Sequence, residues 1–168
     1  MEEKSANAKR PTVKFKPENL KFLLDFMDKT GLSMKEVGES VGLSRQAVYY
    51  WFVKDDVKIS NIYALFDKLG YCIDFRYERK KAKKDSSVTE TVIYSRPEDR
   101  VRLGFINTAM KEFDFSKGDI AEKLELGITT VYFWFKQDDC FFSHVCSIAK
   151  VMDLKLKIEI RPLATAKQ

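Results

Sequence analysis

The chain is poor in the residues on which most catalytic and covalently stapled proteins depend. It holds one histidine and three cysteines (Cys72, Cys140, Cys146). An odd, sparse set of thiols argues against a disulfide framework and for a reducing compartment. No apolar run approaches the roughly 20 residues that cross a bilayer, and the charged start, MEEKSANAKR, lacks the apolar centre of a secretory leader. The expectation is a soluble, cytoplasmic protein with no membrane partner. Glycine-rich phosphate loops, nucleophile motifs and HExxH are missing too, which leaves no catalytic constellation and implies no cofactor. Cys140, His144 and Cys146 fall within seven residues, but without CxxC spacing or a fourth ligand they read as a buried thiol and an ordinary surface or cap histidine, with no metal site.

What is present is enough apolar material for a core, 45% of 168 residues, and a formal charge of +5 that is unevenly spread. Residues 1–16 carry a net +3, the run 79–87 a net +4, 17–78 a net −2, and 88–168 none. The excess sits in an N-terminal arm and in a central cluster with Lys80, Lys81, Lys83 and Lys84. Two solvated segments would look the same; clustered cations also suit a polyanion.

An ungapped internal match at a shift of 83 residues is the most informative feature, clearest where VYYWFVKDD (48–56) meets VYFWFKQDD (131–139). In the first copy, Pro17 suits the start of a helix whose apolar residues Leu20, Leu23, Leu24 and Met27 run to Gly31. Ser33 and Glu36 form a capping box before a helix at 34–41 ended by Gly42. Ser44 caps a third helix at 45–52, and Ser60 a fourth at 61–69. The alternating residues of 72–78 and 154–161 then predict one strand per copy. The β-branched stretch 88–94 is a candidate hairpin partner for the first strand.

The segment MKEVGESVGLSRQAVYYWF (34–52) resembles the helix-turn-helix of the lambda-repressor and Cro-like DNA-binding family. Gly38 stands where two helices cross, Gly42 at the turn, apolar Leu43 and Val48 around it, and Trp51 toward the core. The second copy keeps a small residue, Ala121, but has Glu125 at the turn and Gly127 at the cap. The resemblance implies a mainly α protein: two tandem lambda-repressor-like four-helix units, each followed by a β-strand, with a small antiparallel sheet joining them as a pseudo-dimer. The expected division is a flexible basic arm (1–16), a first unit (17–78), a basic loop and return strand (79–96), a second unit (97–162) and a tail (163–168).

It also implies sequence-specific binding of double-stranded DNA in transcriptional control, the third helix lying in the major groove. Ser44, Arg45, Gln46, Tyr49 and Tyr50 would face DNA in the first unit. Arg45 has the donor fork for guanine and Gln46 that for adenine. At the matching places the second unit offers Ile128, Thr129, Thr130 and Phe133, able to touch thymine methyls and phosphates, with weaker readout. Lys80, Lys81, Lys83 and Lys84 would add phosphate contacts. The monomer would act as a pseudo-dimer, or associate as a weak homodimer. The competing expectation is a protein-interaction or scaffold module, with the Ile128 and Phe133 surface as a protein-binding face. Asp55-Asp56 and Asp138-Asp139 count against DNA unless they point away to cap local turns; as adjacent carboxylates in polar loops they make a poor catalytic pair.

Overall fold

The computed structural model describes residues 15–80 and 101–163. It is mainly helical with a two-stranded antiparallel sheet. The first unit runs α1 (Lys21–Thr30), α2 (Met34–Val41), α3 (Arg45–Lys54), α4 (Ile59–Lys68) and β1 (Tyr71–Arg79). The second repeats the order: α5 (Gly104–Glu112), α6 (Lys117–Lys123), α7 (Ile128–Gln137), α8 (Phe142–Val151) and β2 (Leu154–Pro162).

Local chemistry explains most boundaries. Ser33 and Glu36 make the capping box of α2, and Ser116 with Asp119 makes its counterpart on α6. Backbone and side-chain hydrogen bonds from these serines hold the Glu36 and Asp119 carboxyls below their ordinary range. Gly31 and Gly42 close α1 and α2 in the left-handed conformation.

Three expected boundaries are corrected. Pro17 does not open α1, because the N–H groups of Glu18, Asn19 and Leu20 turn to the Asp55 carboxylate and the helix begins at Lys21. The third helix extends past Phe52 to Lys54, where Asp55 adopts φ 51° as its C-cap. Ser60 does not cap α4; the helix starts at Ile59, and the Ser60 hydroxyl donates to Asp139 in the other unit. The stretch 88–94 lies outside the described residues, and the partner of β1 is β2.

The two units meet about a local twofold relation legible in the register. Phe75 faces Ile158, its own equivalent under the 83-residue shift, and β1 and β2 pair antiparallel outward from that point. Lys58 and Phe141, also equivalents, form an isolated bridge, flanked by Ile59 N donating to Cys140 O (2.9 Å) and Phe142 N to Val57 O (2.8 Å). One continuous core spans the junction. Phe75 contacts Phe105 and Phe142 at centroid distances of 5.8 and 5.6 Å, and Phe22 contacts Phe142 at 5.2 Å. The buried Tyr77 hydroxyl donates to Val145 O at 2.6 Å, and burial pushes its pKa well up.

Candidate nucleic-acid interface

The N-terminal turn of α3 is positioned by a crossing that admits no side chain. A Cβ on Gly38 would stand 2.5 Å from the Leu43 carbonyl oxygen and 3.2 Å from the Ser44 carbonyl, atoms fixed by backbone. Gly42, at φ 70°, completes the turn, and Leu43 N donates to Gly38 O at 2.8 Å. Leu43 serves through this bond, since its side chain is exposed rather than packed. Ser44 then accepts from Ala47 N at 3.1 Å. With Val48, Trp51 and Phe52 buried, Ser44, Arg45, Gln46 and Tyr50 are left exposed. Tyr49 differs: it is half-buried, its ring 5.3 Å from Phe15 in an edge contact. The sequence reading missed Phe15, which also meets Phe52 at 5.6 Å.

The corresponding turn of α7 is built with less. Ala121 is buried at the crossing, Glu125 takes the left-handed turn at φ 54°, and Gly127 caps without a side-chain bond. Ile128, Thr129, Thr130 and Phe133 are exposed, while Val131 and Trp134 face inward. Lys117 Nζ lies 4.9 Å from both the Tyr132 and Phe135 ring centroids, a cation beside this helix that the motif did not point to.

The four aspartates, unfavourable beside a polyanion if free to face it, are all engaged in the fold. Asp55 accepts from the N–H groups of Glu18, Asn19 and Leu20 at 2.8–2.9 Å, and Asp138 from those of Arg102 and Leu103 at 2.7 and 2.8 Å. Asp56 reaches across to Ser143 N and Oγ (2.8 and 2.6 Å), and Asp139 to Ser60 N and Oγ (3.0 and 2.7 Å). Each carboxylate thus stands at the start of a helix, where unpaired N–H groups and the helix dipole favour negative charge. The first aspartate of each pair serves its own unit; the second serves the other.

Lys80 is exposed and pairs with Asp153 at 2.9 Å; Lys81, Lys83 and Lys84 lie outside the described residues, as does most of the arm. Cys140 and Cys146 are pushed up to about 12 by burial, which leaves them poor nucleophiles. His144 is not an ordinary surface or cap residue: it is half-buried and stacks on Trp134 at 4.3 Å, and burial lowers its pKa against the opposing pull of Asp56. Among the described residues, no three His, Cys, Asp or Glu side chains gather into a group that could hold a metal. No helix among them is long and apolar enough to cross a membrane.

Compared with known proteins, the chain matches no family model, no curated protein and no solved structure.

Proposed function

We propose that the chain is a sequence-specific double-stranded DNA-binding protein of transcriptional control, a covalent pseudo-dimer of two lambda-repressor-like helix-turn-helix units. It reads the major groove with α3 and works in the cytoplasm, where its free thiols stay reduced. The observation that carries this reading is the exposed N-terminal turn of α3. Ser44, Arg45 and Gln46 are free of packing at the tip of a helix whose position is set by the Gly38 crossing. Arg45 would take guanine O6 and N7, Gln46 adenine N6 and N7, and Ser44 a phosphate. The local twofold relation supports it as well, because a duplex offers paired half-sites of the same symmetry roughly 34 Å apart. Each ten-residue third helix is about 15 Å long. The loops that follow them, through Asp56 and Asp139, lie at the junction between the units.

The test is selection of bound sequences from a random duplex pool by the full chain. Enrichment of an asymmetric site is the expected result, and a pool that stays random would sink the reading. Arg45→Ala should relax preference at one base pair by about 1–3 kcal/mol. Neutralising Lys80, Lys81, Lys83 and Lys84 should weaken every sequence and flatten the salt dependence. A second reading, a protein-interaction module, is favoured by the exposed Ile128, Tyr132 and Phe133.

A further inference from the structure

We infer that α7 recognises thymine 5-methyl groups, so that the chain's DNA site joins a half-site read by polar contacts to one read by apolar contacts; this rests on the DNA-binding reading above. Under the 83-residue shift, Arg45, Gln46, Ala47 and Tyr50 become Ile128, Thr129, Thr130 and Phe133. The exchange removes the guanidinium, the amide and the phenol hydroxyl, and leaves two hydroxyls, their methyl groups, a branched alkyl chain and a phenyl ring. Ile128 is 49% and Phe133 53% exposed, although the core side of α7 is already filled by Val131 and Trp134. About half of each side chain is left outside the fold, and water is a poor neighbour for that surface.

On the major-groove edge of B-DNA the one alkyl group is the thymine 5-methyl, set among hydrogen-bond donors and acceptors. An α7 tip placed there, as is proposed for α3, would bury its alkyl and phenyl groups best against thymine. The surroundings favour DNA over a protein partner. Thr129 and Thr130 are exposed beside Ile128. Lys117 is held against Tyr132 and Phe135, and Lys136 is exposed in the last turn of α7, so cations stand along this helix where groove phosphates would run. Glu122 and Glu125 are the exposed carboxylates on the preceding helix and turn.

The experiment takes the duplex enriched by the full chain and assigns its half-sites by the one that Arg45→Ala relaxes. Thymines of the other half-site are then replaced by deoxyuridine, which deletes the methyl and keeps every hydrogen-bonding group. Binding should fall roughly fourfold per contacted methyl, the worth of one buried carbon. In Ile128→Ala and Phe133→Ala, whose side chains are exposed, the thymine and uracil duplexes should bind alike. An enriched duplex insensitive to deoxyuridine, with both variants binding as the parent does, overturns this inference alone and returns the face to a protein partner. A pool with no enrichment overturns the DNA reading and this inference with it.

Discussion

Asp55 and Asp138 combine two unusual conditions: each adopts a left-handed backbone conformation at the end of a third helix, and each carboxylate satisfies N–H groups at the start of the first helix of its unit. Asp55→Ala should cost about 2 kcal/mol in urea unfolding, because the cap is lost and alanine takes the left-handed conformation less readily than aspartate. Asp55→Gly should cost less, since glycine relieves the left-handed strain and so offsets part of the lost cap, and equal losses would show that backbone strain plays no part. At His144 the expected effect is one of pH. Burial holds the folded imidazole below its ordinary 6.5, so the folded state binds fewer protons than the unfolded one between the two values. Its contribution is present above pH 6.5 and declines as pH falls through the folded value. A urea-midpoint series from pH 8 to 5 should show this decline, and His144→Asn, which installs the residue type of Asn61, should flatten it. Because His144 stacks on Trp134, tryptophan emission should follow the same titration.

At the scale of elements, the crossing of the second and third helices distinguishes the two units. Gly38 has a backbone carbonyl where a Cβ would go, so Gly38→Ala must open the α2–α3 angle. A destabilisation of about 1–3 kcal/mol is expected from such overpacking, read by chemical denaturation. In the second unit the strain sits at the turn instead. Glu125→Gly should stabilise the protein by about 1 kcal/mol, because glycine adopts φ near 54° without the penalty of a side chain. A fall in stability would mean that the Glu125 side chain does more than occupy the turn. The elements themselves were largely written locally. The α2 range, its capping box and both strands follow from periodicity and cap residues. The starts of α1 and α4 did not, because their N–H partners are Asp55, 36 residues away, and a bridge to the other unit.

Across the whole molecule the halves share a core, a sheet and reciprocal aspartate–serine contacts, so they should unfold together. With Trp51 in one unit and Trp134 in the other, the variants Trp51→Phe and Trp134→Phe each leave one reporter. Within each variant, fluorescence and circular dichroism should give one coincident urea transition. Two separated transitions would show the units to be independent. The same junction fixes how the candidate reading heads are disposed, since Asp56 and Asp139 tie the end of each third helix to the fourth helix of the opposite unit.

The amino-acid order alone determined the duplication, the helices with their own caps, the strands and an α3 tip of polar residues, because these depend on neighbours within a few positions and on the 83-residue repeat. Only the tertiary structure decided the purpose of the paired aspartates, the register of β1 on β2, the stacking of His144 on Trp134 and the place of Lys117 beside α7. Carboxylate–amide bonds, strand pairing and ring contacts act over a few ångströms in space, and residues as far apart as Asp56 and Ser143 come within that reach only when the two units close on one another.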